Sequence, residues 1–171
     1  DVAFQTQLSR SKDTLKEILK YHPEVKEIIT ANRMIERSYG DLEGTSHKSF
    51  IEKIGKKEID LIKEGDVLED LSKDQIKKIK KFLGELEYEI IHRGYNVAPS
   101  NGESFKDVER RVNIFIKELK KFIKKEKVNV AISAHGNSIR MFRKIWENKS
   151  EKEAVKWFIP YDKVYTYKLE V

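Results

Sequence analysis

The stretch VNVAISAHGNSIR, residues 128–140, decides how the rest of the chain is read. Val128, Val130 and Ile132 belong to a β-branched run of strand type, His135-Gly136-Asn137 makes a turn, and residues 139–146 resume a helical spacing of apolar positions. Strand, turn and helix in that order are the start of an α/β unit. In such sheets ligands collect beyond the carboxyl ends of the strands. His135 therefore stands where a catalytic group belongs, and the helix start behind it offers backbone amides to an anion.

Outward from this unit, the same alternation recurs. Residues 1–4 read as a short buried strand, and residues 9–21 as a helix with Leu15, Ile18 and Leu19 on one face. Residues 25–29, followed by Met34 and Ile35, suggest a second strand that runs into a turn at Gly40 and Gly44. Residues 46–86 are helical and rich in Lys and Glu, with breaks expected near Gly55 and Gly65 and a capping box at Ser72-Lys73-Asp74-Gln75. A loop around Pro99 hands over to a long helix that opens at Ser104 and carries Val108, Val112, Phe115, Leu119 and Phe122. Residues 150–158 read as a capped helix stopped by Pro160, and residues 164–169 alternate like an edge strand. Alternating elements predict an α/β fold, a three-layer α/β/α sandwich with a mostly parallel sheet. We expect one domain over residues 1–171, with a helical insertion at residues 46–90.

Composition narrows the function classes. With no cysteine in 171 residues, thiolate catalysis, disulfides and Cys-based zinc sites are excluded. The sequence has no apolar run near the roughly 18 residues a membrane span requires and no charged-then-apolar leader, so a soluble, cytoplasmic protein is expected. The net charge of +6 suits an anionic partner, whether a phosphorylated metabolite, a nucleic acid or an anionic lipid. Most of the lysine lies in helical runs such as residues 77–81 and 117–127, interleaved with apolar residues, and reads as solvated helix faces.

A lone His-Gly turn is weak evidence, but it has company. His135-Gly136-Asn137-Ser138-Ile139-Arg140 resembles the second histidine motif of the histidine phosphatase superfamily, and the Asn-Ser-Ile-Arg continuation resembles its phosphoglycerate-mutase branch. Leu8-Ser9-Arg10-Ser11-Lys12-Asp13-Thr14 is similar to the family's phosphate-binding arginine motif, which assigns that role to Arg10. An arginine fork at a helix start matches phosphoryl oxygens in geometry and charge.

The segment Glu36-Arg37-Ser38-Tyr39-Gly40-Asp41-Leu42-Glu43-Gly44 resembles the one holding the family's proton-shuttling glutamate, three residues before a substrate-contacting tyrosine. The resemblance implies Glu36 as general acid and base, with Glu43 the alternative, and Arg37 and Tyr39 at the substrate. Such a carboxyl must protonate the leaving oxygen of a phosphate ester and later deprotonate the incoming group. Residues 91–99 are similar to a mutase segment in which two adjacent arginines grip a substrate carboxylate. Arg93 matches, whereas His92 replaces the first arginine and holds charge only partly near neutrality. The segment Asn101-Gly102-Glu103-Ser104 resembles the one that opens the long helix, a capping role, and residues 158–169 resemble the mutase terminal region.

Together these imply catalytic roles for Glu36 and His135 and substrate or phosphate contacts for Arg10, Arg37, Tyr39, His92, Arg93, Gly136 and Asn137. No metal ion and no bound cofactor are implied; 2,3-bisphosphoglycerate would be the phosphate-donating primer of a mutase. The family's nucleophile sits in an Arg-His-Gly loop, and that tripeptide does not occur here. His22, His47 and His92 do not replace it, so we expect that the family's first segment has been lost or left out and that these 171 residues alone lack turnover. The expected function is interconversion of 3- and 2-phosphoglycerate through a phosphohistidine, on a small anionic substrate, without membrane attachment and compatible with a homo-oligomer. A phosphomonoester phosphatase of the same superfamily is the enzymatic alternative. A non-catalytic interaction domain, or a nucleic-acid-binding module suggested by the basic charge and seven tyrosines, is the alternative of another class, although no nucleic-acid-binding motif accompanies them.

Overall fold

In the computed structural model, residues 1–63, 68 and 70–169 are described. Three strands, β1 (Val2–Gln5), β2 (Glu27–Thr30) and β3 (Val130–Ile132), form a parallel sheet in the order β2-β1-β3. Six α-helices accompany them among the described residues: α1 (Ser9–Leu19), α2 (His47–Lys63), α3 (Lys73–Arg93), α4 (Phe105–Glu126), α5 (Gly136–Trp146) and α6 (Glu151–Ala154). The α/β class with a parallel sheet is as the sequence predicts. Two compact units divide the chain, one formed by Asp1–Arg37 with Phe105–Val171 and the other by Ser38–Ser104.

The first unit holds the sheet. β1 is the central strand, with Val2, Ala3 and Phe4 buried, paired in register with β2 (Ala3 opposite Ile28) and β3 (Ala3 opposite Ala131). Phe4 meets Phe115 and Phe122 of α4 edge-on, at centroid distances of 5.6 and 5.7 Å. α4 is the most amphipathic long element: Phe105, Val108, Val112, Phe115, Ile116 and Leu119 repeat at helical spacing and all are buried. Each contributes about 1.5–3 kcal/mol of burial free energy. α5 lays Met141 and Phe142 into the same core, and Lys144 reaches Glu109 of α4 at 2.6 Å.

Three local expectations are corrected. Met34 lies in a short 3-10 turn (Asn32–Met34) instead of continuing β2. The helix expected over residues 150–158 is only α6, a single turn capped by Ser150 and Glu153. Residues 164–169 form no strand; side chains in place of ladder hydrogen bonds hold them to α5. The Arg143 guanidinium stacks on Trp157 and Tyr165, each at 4.3 Å, and pairs with Glu147 through two N–H···O bonds of 2.9 and 3.2 Å. The Tyr167 hydroxyl donates to Glu147 at 2.5 Å, and burial followed by that carboxylate pushes Tyr167 up to about 12. The alternation seen in sequence is that of Tyr165 and Tyr167 facing one helix.

The second unit is a pair of helices, α2 and α3. α2 runs unbroken through Gly55, contrary to expectation, because Gly55 serves close packing: a Cβ there would come within 2.1 Å of the Lys80 carbonyl oxygen. Gly84 of α3 does the same against the Ile51 carbonyl, at 2.3 Å. The break expected at Gly65 lies outside the described residues. α3 starts with a full capping box between Ser72 and Gln75. Leu42, Phe50 and Ile91 form a small core with Tyr39, Ile54, Tyr88 and Val97 around it.

Two outcomes follow. Gly84→Val should lower stability by about 1–3 kcal/mol or more through overpacking, while Phe82→Ser at the exposed face of α3 should stay within about 0.5 kcal/mol; equal denaturant midpoints for the two variants would refute the glycine contact. Arg143 holds the Glu147 carboxyl below its ordinary value. A lowered folded pKa gives stability that is present above the unfolded value near 4.5 and lost as pH falls through the folded one. Acid titration should therefore release the terminal segment, read as Trp157 fluorescence, and Glu147→Gln should abolish that pH dependence.

Candidate active site

The site begins where β1 and β3 end side by side. Ser133 follows β3 and donates its amide to the Phe4 carbonyl at 2.8 Å, extending the ladder by one residue. Four hydroxyl groups then tie the strand ends to α1 and α5. The Ser11 hydroxyl accepts from the Thr6 amide (2.9 Å) and donates to the Ser133 carbonyl (2.7 Å), while the Ser133 hydroxyl donates to the Ser11 carbonyl (2.9 Å). Thr6 Oγ1 lies 2.7 Å from His135 Nε2 and accepts from the Leu8 amide at 3.3 Å. Ser138 accepts from the His135 amide and donates to the Met34 carbonyl at 2.7 Å. Thr6, Ser11, Ser133, His135 and Ser138 are all buried. Buried polar groups in such numbers persist only when paired with one another, as these are.

Glu36 reaches the same place from the other side. Its Oε1 accepts the amide of Arg37 at 2.8 Å and that of Asn137, in the first turn of α5, at 3.2 Å. A carboxylate at that position is favoured by the open amides and the positive end of the helix. Gly136 opens α5, and a methyl group in place of its hydrogen would stand 4.0 Å from Glu36 Oε2, in ordinary van der Waals contact. Arg111 of α4 grips the turn that carries Glu36, donating to the Arg33 carbonyl at 2.7 Å and the Glu36 carbonyl at 3.2 Å.

Burial lowers the pKa of His135; Glu36 opposes this, and the positive charges of Arg10 and Arg111 add to it. At neutral pH the ring is the uncharged form. Arg10, exposed at the start of α1, thus acts electrostatically on the same ring as Glu36 and Arg111. Arg140 donates to Asn137 Oδ1 at 3.0 Å and to the Trp157 carbonyl at 2.7 Å.

Of the nine residues singled out in sequence, the structure gathers Arg10, Glu36, His135, Gly136 and Asn137 at the carboxyl ends of β1 and β3. Arg37, expected at the substrate, is 1% exposed, with its guanidinium 4.6 Å over the Phe105 ring. Arg140 approaches the same ring at 5.4 Å, so Phe105 supports two arginines beside the site. Tyr39, His92 and Arg93 belong to the second unit. There the His92 ring stacks on Tyr88 at 3.8 Å and Tyr39 at 5.0 Å, and its Nδ1 lies 2.9 Å from the Tyr88 carbonyl, so that nitrogen is the donor. Arg93 is exposed at the end of α3 and loosely paired with Glu89 at 4.0 Å. Glu43, the alternative acid, instead accepts the Tyr39 amide at 2.7 Å. Glu103 accepts the Ser38 amide at 3.0 Å and bonds backbone to backbone with Ser38, the loop-fastening role expected of that segment.

Sequence reading missed Thr6 and Arg111. Thr6 carries no motif signal beyond its place one residue past a strand. Arg111 lies on the polar flank of an amphipathic helix, where arginines are common and uninformative.

A model of the histidine phosphatase superfamily, branch 1, matches residues 62–170. Among curated proteins, a phosphoglycerate mutase of Schizosaccharomyces pombe is 34% identical over 143 residues, 82% of this chain and 53% of that protein. A 2,3-bisphosphoglycerate-dependent phosphoglycerate mutase of Bartonella henselae is 29% identical over 157 residues, 91% of this chain and 62% of that protein. The chain thus spans between about half and three fifths of the length of these relatives. Among solved structures, YhfR of Bacillus stearothermophilus superimposes with a TM-score of 0.60 at 16% identity, over 94% of this chain and 62% of that one. A mycobacterial glucosyl-3-phosphoglycerate phosphatase in complex with inorganic phosphate gives 0.58 at 17%, over 90% and 61%. These structural likenesses carry the fold. With a model match over most of its length and the His135 turn, Arg10 and Glu36 assembled at the strand ends, the chain belongs to branch 1 of the histidine phosphatase superfamily.

Proposed function

We propose that this protein transfers a phosphoryl group on a small phosphorylated metabolite through a phosphohistidine, interconverting 3- and 2-phosphoglycerate. The observation that carries the reading is the convergence of the Glu36 carboxylate and the His135 ring at the amino end of α5, with the Arg10 charge acting on the same ring. The Arg10 charge suits the equatorial oxygens of a phosphoryl group, where negative charge accumulates during transfer. Neutral His135 adds a hydrogen-bond donor. Glu36 hands a proton to the leaving oxygen and takes one from the incoming hydroxyl.

The reading requires an attacking histidine. None of His22, His47 or His92 lies in the Arg-His-Gly context of the family nucleophile, and His22 pairs with Glu24 on the surface at 2.8 Å. The nucleophile is therefore assigned to an Arg-His-Gly segment outside these 171 residues. 2,3-Bisphosphoglycerate is the donor that primes it, and the curated relatives named as bisphosphoglycerate-dependent mutases support that choice. The protein is proposed to work in the cytoplasm; among the described residues no helix is long and apolar enough to cross a membrane.

One observation favours a second reading. His92, in the place of a carboxylate-gripping arginine, is committed to an aromatic stack. A site with one gripping cation in place of two retains a carboxylated intermediate less well, and water then competes as acceptor. That is phosphatase chemistry.

Protein expressed from its complete reading frame, incubated with 2,3-bisphosphoglycerate, should yield a phosphohistidine peptide by mass spectrometry; its absence would sink both readings. Isomerised phosphoglycerate supports the mutase, and inorganic phosphate with no isomer supports the phosphatase. Glu36→Gln should slow turnover by about 10²–10⁴ with the fold intact, and an unchanged kcat would remove Glu36 from the chemistry. Arg93→Ala should raise KM for phosphoglycerate by about tenfold or more, the worth of a charged hydrogen bond, while leaving simple phosphate esters nearly unaffected. Equal losses for both substrate types would end the carboxylate role.

A further inference from the structure

We propose that Thr6 is the positioning residue that fixes the tautomer of His135, donating its hydroxyl hydrogen to Nε2 and leaving the ring proton on Nδ1. The functional consequence rests on the reading above; the assignment of the proton does not.

The argument is one of hydrogen-bond accounting. Thr6 is fully buried, so bulk water cannot take its hydroxyl hydrogen. A buried hydroxyl with an unused hydrogen is costly, and such groups in native proteins are almost always paired. Oγ1 has two neighbours among the described residues. One is the Leu8 amide at 3.3 Å, which can only donate. The other is His135 Nε2 at 2.7 Å. Nε2 is thus the acceptor within reach of the Thr6 hydrogen. Were Nε2 protonated, it and the Leu8 amide would both donate to Oγ1, leaving the hydroxyl hydrogen with no acceptor among the described residues.

The position of Thr6 is itself pinned. Its amide is held by the Ser11 hydroxyl at 2.9 Å, and Ser11 is locked to Ser133 by two reciprocal hydroxyl-to-carbonyl bonds. The His135 main chain is held by the Ser138 hydroxyl, which accepts its amide. With Thr6 and the His135 backbone both held, the short Oγ1···Nε2 contact is the bond that orients the ring. The charged groups acting on the ring are Glu36, which favours protonation, and Arg10 and Arg111, which oppose it. A neutral ring with its proton on Nδ1 presents a hydrogen-bond donor from that nitrogen, as a phosphoryl oxygen requires, whereas the opposite tautomer presents an acceptor that would repel it.

The test is a long-range 1H–15N correlation on 15N-histidine-labelled protein from the complete reading frame, without substrate, above pH 7.5. His135 should show an unprotonated Nε2 and a protonated Nδ1. Thr6→Val keeps the shape but removes the hydroxyl, and should shift the ring toward the Nε2–H form or a mixture; Thr6→Ser should restore the wild-type pattern. In turnover, Thr6→Val should lower kcat by about tenfold, the worth of one hydrogen bond, with little change in KM, and Thr6→Ser should recover most of it. A protonated Nε2 in the wild type, or the same tautomer in Thr6→Val as in wild type, overturns the assignment. If Thr6→Val does not fold, the wild-type and Thr6→Ser nitrogen shifts still decide. A correct tautomer in a protein that forms no phosphohistidine defeats the functional reading alone.

Discussion

The parallel pairing of β1 with β3 is the constraint from which the site follows. Parallel strands leave their carboxyl ends on the same edge, so Thr6 and His135, far apart in sequence, come within one hydrogen bond of each other. An antiparallel partner would have placed the start of one strand beside the end of the other, and the Thr6–Ser11–Ser133–His135 network could not close. Register matters equally. A slip by one residue would turn Phe4 away from α4 and bring Gln5 into the core. The apolar face of β1 and the polar network beyond it thus enforce each other.

That network lets ionisable groups stand half-buried without destabilising the fold. Burial alone disfavours the charged form of each. Here Glu36 is supported by two backbone amides and the end of a helix, and its own backbone is held by Arg111. Arg37, almost wholly buried, rests on Phe105, whose ring face is an attractive surface for a guanidinium. The positive groups Arg10 and Arg111 and the negative Glu36 act on His135 in opposite senses, leaving burial to decide that the ring stays uncharged.

Legibility in the sequence followed the range of the forces concerned. Strand, turn and helix around His135 were readable because hydrophobic period and turn chemistry are local, and so were α4 and the capping box of α3. The grouping of Arg10, Glu36 and Asn137 was readable through motif resemblance. Positions whose role depends on a partner distant in sequence were not. Thr6 reads as an ordinary threonine after a strand, and Arg111 as one more cation on a helix surface. Gly55 reads as a helix break because isolated glycine weakens a helix, but the carbonyl of Lys80 that needs the space is invisible in one dimension. The terminal segment erred for the same reason: alternation of Tyr165 and Tyr167 is equally a strand pattern and a pattern for clasping one helix, and only Arg143 and Glu147 choose between them.

His92 shows how a substitution in a binding motif can be absorbed by packing. An arginine at that position would bring a permanent charge and a long stem. Histidine instead supplies a flat ring that stacks between Tyr39 and Tyr88 and meets Phe50 edge-on at 5.8 Å. Its Nδ1–H closes onto the Tyr88 carbonyl one turn back in α3. Stacking of this kind is worth about 0.5–1.5 kcal/mol per pair, which favours keeping the ring in place over swinging it out to a ligand. The side chain that replaces a cation has thereby become part of the small core around Phe50 and Ile91, and it orders Tyr39, the residue expected to touch substrate. Arg93, at the end of the same helix, keeps an exposed guanidinium that approaches Glu89 at 4.0 Å, a solvent-screened pairing of the kind that contributes little to stability.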